Sequence, residues 1–295
     1  VPFHTTCFDI FIRLSRRHFG YVDINGLMGS FQNEGMWNHV DGYTHHQDVR
    51  RSSEQMWRHT PGLEYLATNP LFVPCLDPIL RSVIQDEPSF NPENGAFEVP
   101  EFHHNPQSPD LFDTLPQELK LEIVRYLTPK VTSNLRLATR AFRQLPISLW
   151  RRFLQEEMPW LWEAWSDETP YFWAVISPDI LKDEIAAKNT IQTELPIINR
   201  VIREEMPELL EDFKNAGLQL LAMRPDPKLE AQAAVLDTLI RGLPTFNTNW
   251  YELYSEIIRN WKDLKGLQNR QRIWNDCEQI IQRIKKYHEK DDVME

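Results

Sequence analysis

From residue 111 to the C-terminus, apolar residues recur at three- and four-residue spacing. The segments are 116–127, 133–145, 147–164, 178–188, 195–221, 229–242, 250–260 and 270–287. That period is the signature of helices with one apolar face. Prolines at 129, 146, 159, 170, 178, 196, 207, 227 and 244 punctuate the segments, several where a first helical turn tolerates the missing N–H. The expected fold is mainly α and irregular in its packing, since no internal repeat, low-complexity tract or Gly-rich phosphate loop interrupts the pattern.

Composition divides the chain further. Residues 1–85 hold seven arginines and no lysine, with short apolar runs such as "CFDIFIRL" (7–14), and are expected to form a small α-rich N-terminal region. Residues 86–110 carry six acidic residues, five prolines and no Lys or Arg. A segment with so little to bury cannot offset its ordering entropy, so an extended acidic linker is expected there. A short helical module over 111–155 and a helical C-terminal region over 156–295 complete the division.

With 32 basic against 43 acidic residues, the net charge of −11 argues against nucleic acid or an anionic membrane as partner, because both are held through basic surface. No apolar run approaches the roughly 18–20 residues of a membrane span. Three scattered cysteines, Cys7, Cys75 and Cys277, make no disulfide framework and point to a reducing compartment, cytoplasm or nucleus. The chain begins at Val1, as a piece of a longer protein would.

The stretch "DTLPQELKLEIVRYLTPK" (113–130) raises a question of surplus. Thr114 and Gln117 have the spacing of a capping box, Pro116 suits a first turn and Pro129 ends the helix. On a helical wheel Leu115, Tyr126, Leu119, Ile123, Leu127 and Val124 span about 180°, wider than the roughly 100° stripe a surface helix needs. "TSNLRLATRAFRQL" (132–145) spreads Leu135, Phe142, Ala138, Leu145, Ala141 and Leu137 over a similar arc, with Thr132 or Ser133 as its cap. Pro146 then opens "ISLWRRFL", with Trp150 and Phe153 as bulky anchors. A unit this small buries a low fraction of its surface. Either downstream helices cover the remainder or another protein does, and periodicity does not choose between them.

The order Leu-Pro-x-Glu-Leu at 115–119, Ile123, Tyr-Leu at 126–127, Pro129, "LRLATRAFRQL" at 135–145 and Ser-Leu-Trp at 148–150 resembles an F-box. This helical module docks substrate adaptors on the Skp subunit of SCF ubiquitin ligases. The flank "RFLQEEMPWLWEAW" (152–165) is similar to F-box proteins of fungal type. Where the family commonly has Asp and an aliphatic residue after "LTPK", this chain has Val131 and Thr132. The resemblance implies that Leu115, Pro116, Leu119, Ile123 and Leu127 face a Skp-family adaptor, with Glu118 as a polar rim contact. Leu135, Phe142 and Trp150 would form the module's core. It also implies a non-catalytic adaptor joined through Skp to a cullin, holding a protein marked for ubiquitylation. The alternative is a Skp-bound scaffold acting outside an assembled ligase.

Other chemistry finds little support. His4 and Cys7 form an H-x-x-C pair, half of a zinc site whose other half, an upstream Cys pair, these 295 residues do not contain. No cofactor is otherwise expected. "WNHVDGYTHHQD" (37–48) matches no metal template and reads as a polar loop. Glu156–Glu157 and Glu204–Glu205 are neighbours about 100° apart on a helix, so they do not converge on one site and read as solvated. An enzyme is not expected. Four tryptophans within 160–173 form either an aromatic core joining the module to later helices or part of a binding surface.

Overall fold

The computed structural model describes residues 5–34, 46–55, 58–87, 90–92, 96–97, 110–176, 178–209, 212 and 234–294. The chain is mainly α. The principal helices are α1 (Thr5–Phe19), α2 (Ile24–Glu34), α3 (His46–Glu54), α4 (Leu76–Ser82), α5 (Gln117–Arg125), α6 (Pro129–Ala138), α7 (Ile147–Glu157), α8 (Phe172–Val175), α9 (Pro178–Glu205), α10 (Trp250–Arg259) and α11 (Lys265–Met294). Short 3-10 turns join them at Glu64–Ala67, Leu111–Thr114, Arg140–Phe142 and Trp162–Ala164. An isolated antiparallel bridge pairs Ile84 with Thr248.

Two compact units emerge, residues 1–168 with 240–295, and residues 169–239. The first does not follow the compositional zones. The long helix α11 packs along α1, α2 and the 3-10 turn at Glu64–Ala67, while α10 packs on α4 and α7. The contact of α2 with α11 is close because its sequence has no side chain at Gly26 and Gly29. A Cβ at Gly26 would lie 2.5 Å from Ile284 Cγ2, and one at Gly29 would lie 2.7 Å from the Tyr287 ring.

A buried cation holds this unit together. Arg270 of α11 is fully enclosed. It donates to the carbonyls of Pro70 (2.6 Å) and Trp160 (3.1 Å), and its guanidinium pairs bidentately with Glu163 at 2.6 and 2.7 Å. The same guanidinium lies 3.6 Å from the centroid of Trp162. Fork geometry, stacking and satisfied donors are what make a buried guanidinium tolerable. Beside it Asn269 donates to the carbonyls of Leu66 (3.3 Å) and Thr68 (2.7 Å).

The second unit contains α8 and α9. The expected break between 188 and 195 does not occur, because α9 runs through Pro196. A proline deletes one backbone hydrogen bond and strains one turn, which a long helix can absorb.

The acidic stretch also departs from expectation where it is described. Pro92 and Phe97 are buried. Phe97 N donates to Gln144 O at 2.7 Å, Ile147 N donates to Pro92 O at 2.8 Å, and the Phe97 ring meets Phe142 edge-on at 6.0 Å. A single phenyl ring and two backbone bonds tie down a segment whose composition reads as solvated. Residues 98–109 lie outside the described residues.

Candidate protein-docking face

Residues 110–157 build a three-helix module from the ends inward. Asp110 accepts from Phe112 N at 3.0 Å, capping the turn Leu111–Thr114, and also from Arg140 N (2.8 Å) and Ala141 N (3.3 Å). Burial opposes ionisation of its carboxyl, but the backbone bonds from Phe112, Ala141 and Arg140 outweigh it and hold Asp110 below the usual carboxylate range. One carboxylate thus ties the entry of the module to the turn before its third helix.

Thr114 does not form the expected capping box. Its hydroxyl donates backward to Leu111 O at 2.9 Å, and Pro116 is the N-cap of α5 with no side-chain cap bond. The 3-10 turn has already claimed that hydroxyl. At the other end, Tyr126 N and Leu127 N tighten to Ile123 O and Val124 O. Arg152, on α7, then reaches across and donates to Arg125 O (2.8 Å), Val124 O (3.2 Å) and Leu127 O (3.4 Å). A guanidinium here satisfies orphan carbonyls and opposes the negative end of the helix. A nine-residue helix is not stable alone, so this distant cap matters.

The second helix starts earlier than expected. Thr128 is its N-cap, accepting from Val131 N at 3.4 Å, and Pro129 occupies its first turn. Neither Thr132, which is buried, nor Ser133, whose hydroxyl donates to Pro129 O, serves as cap. The helix ends at Ala138, so Ala141, Phe142 and Leu145 are not on its arc; they are buried in and after the following 3-10 turn.

The apolar surplus consequently divides. Val124 is fully buried. Phe142 is buried against Phe97 and Phe112. Trp150 is buried edge-on to Phe153 (5.6 Å) and Tyr251 (4.9 Å), with the Arg136 guanidinium 5.3 Å from its centroid. Leu135, expected in the core, is only half-buried, because it lies in the last turn of α6 where the chain departs at Thr139. Among the residues expected to face a partner, Pro116, Glu118 and Leu119 are exposed, whereas Leu115, Ile123 and Leu127 are half-buried.

The largest exposed apolar side chains near them are Leu111 (86%), Tyr126 (81%) and Leu137 (87%), beside Leu119 at 52%. Of these the resemblance gives only Leu119 a partner-facing role; Tyr126 belongs to the motif and Leu137 to the second apolar arc without one. Exposure of Leu111 and Leu137 has no local signal. It follows from where the 3-10 turns redirect the chain.

The tryptophans resolve differently. Trp160 is buried, Trp162 stacks under Arg270, and Trp165 stacks on Trp250 at 5.5 Å, so these belong to the core of the first unit. Trp173, in the second unit, is exposed and stacked on Tyr171 at 5.4 Å. Of the two zinc candidates, His4 lies outside the described residues. Cys7 sits half-buried on α1, its thiol pushed up by burial. Among the described residues no three His, Cys, Asp or Glu side chains converge as metal ligands, and no helix is long and apolar enough to cross a membrane. The 37–48 loop is described only from His46, where α3 begins.

Comparison with known protein families and with solved structures finds no match. One stretch of 53 residues, 18% of this chain, is 53% identical to a protein named ATP-dependent RNA helicase mss116, mitochondrial, from Aspergillus oryzae. That likeness covers only 8% of the helicase's length.

Proposed function

We propose that this chain is a non-catalytic adaptor that docks on a Skp-family subunit through residues 111–137 and so brings a bound protein to an SCF ubiquitin ligase. The observation that carries this reading is the unequal burial of the three-helix module. Its third helix is locked inward by Trp150, while Leu111, Pro116, Leu119, Tyr126 and Leu137 remain at the surface. A Skp subunit would cover that face, Glu118 would meet its polar rim, and the charge-assisted cap from Arg152 would keep α5 in position. The adaptor's contribution is then proximity: the ubiquitin-charged enzyme recruited through the cullin does the chemistry. The short likeness to a helicase does not favour ATP-driven work, because these 295 residues contain no G-x-x-x-x-G-K-[ST] phosphate loop.

The test is binding of the folded chain to a purified Skp-family subunit, with and without the cullin. Wild-type chain is expected to be recovered with both. Leu115→Ala combined with Pro116→Ala should weaken binding by 30-fold or more, since truncating a buried interface anchor commonly costs about 2 kcal/mol. Undiminished recovery of a double variant that melts like wild type would sink the docking face. Recovery with Skp but never with cullin would favour the scaffold alternative.

A further inference from the structure

The first unit holds a cleft of about 530 Å³ at the C-terminal end of α7, lined by Glu157, Trp160, Tyr254, Ile258, Trp261 and Gln271, with Met158 also at its wall. Three of these are aromatic, and Trp160 and Trp261 meet at 5.8 Å between centroids, tilted by 50°. Glu157 is the single charged residue of the lining. Its Oε2 accepts from the Tyr254 hydroxyl at 3.0 Å. Burial, then this hydrogen bond and the adjacent negative charge, push the Tyr254 phenol up to about 12, so the phenol stays a donor at neutral pH. Gln271 makes no side-chain hydrogen bond among the described residues and offers the cleft a free amide.

We infer that this cleft receives a lysine or arginine side chain presented by a protein partner. Aromatic faces attract a cation within about 6 Å of the ring centroid, and the attraction grows as the cation is desolvated. Here the half-buried Trp261 and Tyr254 supply an indole and a phenol, with Trp160 buried against Trp261, and a carboxylate stands at the same wall with no lysine or arginine in the lining to compete for it. The volume exceeds what an ammonium group alone would fill. The aliphatic stem of a long basic side chain would lie along Ile258, which is half exposed, and Met158, burying apolar length while its charge reaches Glu157. The net charge of −11 favours a basic partner at longer range. A purely apolar ligand would leave the carboxylate without a counterpart, and an acidic one would be repelled. This inference stands on the cleft alone and does not require the Skp-docking reading.

The test uses capped peptides Ala-X-Ala with X as lysine, norleucine or glutamate, titrated into the whole chain and followed by its indole NMR resonances. The lysine peptide is expected to bind at least about tenfold more tightly than the norleucine peptide, its shape-matched neutral counterpart. Glu157→Gln keeps an acceptor for Tyr254 and should abolish that preference. Ile258→Lys sits at a half-exposed position that tolerates substitution, and placing a cation at the cleft should abolish lysine binding. Equal affinity for lysine and norleucine peptides, or no shift of any indole at millimolar lysine peptide, would overturn the inference. So would a lysine preference that survives both variants. Because the peptides bind the free chain, these outcomes leave the Skp experiment untouched.

Discussion

Residues 111–138 and residues 147–165 are both rich in apolar residues at helical spacing, yet the structure treats them in opposite ways. The first stretch leaves Leu111, Leu119, Tyr126 and Leu137 at the surface; the second buries Leu149, Trp150, Phe153, Leu154, Trp160 and Leu161. The difference lies outside both stretches. α7 is covered by α10, about a hundred residues downstream, through Trp150 against Tyr251 and Tyr254, and the 160–163 turn is clamped by Arg270. No described element covers Leu119 or Leu137 in this way. Helical period therefore reports a helix, while buried and exposed apolar faces are distinguished only by what the rest of the chain supplies.

The strongest way to break this contrast is to attack the covered side. Trp150→Ala should destabilise the first unit by roughly 3–5 kcal/mol, as for a large aromatic removed from a core. Thermal melting checks this, and a variant melting like wild type would remove Trp150 from its place as anchor. On the uncovered side the same truncation should do almost nothing to stability. Leu119→Ala and Leu137→Ala are each expected to stay within about 0.5 kcal/mol of wild type, while each weakens Skp binding by about 2 kcal/mol. Calorimetric titration beside a melting curve separates the two effects. A large drop in melting temperature for either leucine would mean that the face is core after all.

A smaller effect would link the two sides. Arg152→Ala removes the cap that α7 gives to the last carbonyls of α5, and hydrogen bonds to a charged group are worth about 1.5–3 kcal/mol when well formed. At 30% side-chain exposure the lower figure is expected. Amide exchange in α5 should quicken, and Skp binding should weaken although no contact residue has changed. Arg152→Lys should not restore it, since one ammonium cannot reach three carbonyls as a fork does. Unchanged exchange in α5 would show that the helix holds without its distant cap.

These links explain how much could be read from the sequence. The mainly α class followed from spacing alone, and so did the starts of α7 and α10, which Pro146 and Asn249 cap locally; α7 stops at Glu157, two residues before Pro159, and not at 164 as the spacing suggests. Trp150 as an internal anchor was legible from its bulk beside Phe153. The caps of α5 and α6 were misread: Thr114 was drawn into an upstream 3-10 turn and Thr128 stood one residue before a first-turn proline, so each cap had two local solutions. Arg152 and Asp110 were invisible for another reason. Their partners lie 25 to 31 residues away, and nothing in local spacing encodes an arginine aimed at a carbonyl on another helix. The cleft was missed similarly, because Glu157, set aside with Glu156 as a solvated pair, meets Tyr254 only in the folded chain.

Two titratable groups sharpen the comparison from opposite ends of the pH scale, with the smallest effects. Asp110 ties down the entry to the exposed face and has its carboxyl lowered below the usual range. A lowered acid binds its proton less readily when folded, so its contribution is present above the unfolded value near 3.9 and is lost as pH falls through the folded one. Tyr254 belongs to the covered side and is raised to about 12. A raised phenol holds its proton more tightly when folded, so its contribution is complete below the unfolded value near 10 and is lost as pH climbs toward the folded one. Asp110→Asn should therefore lower the melting temperature at pH 7, by the equivalent of about 1 kcal/mol. That gap to wild type should close only in acid, once the pH has fallen through the lowered folded-state value and both carry a neutral side chain. Tyr254→Phe should show a gap of similar or smaller size that closes only at strongly alkaline pH. Melting curves of the three proteins across that range check both signs, and a gap for Asp110→Asn that widens on acidification would mean that its carboxyl is not held ionised by Phe112, Arg140 and Ala141.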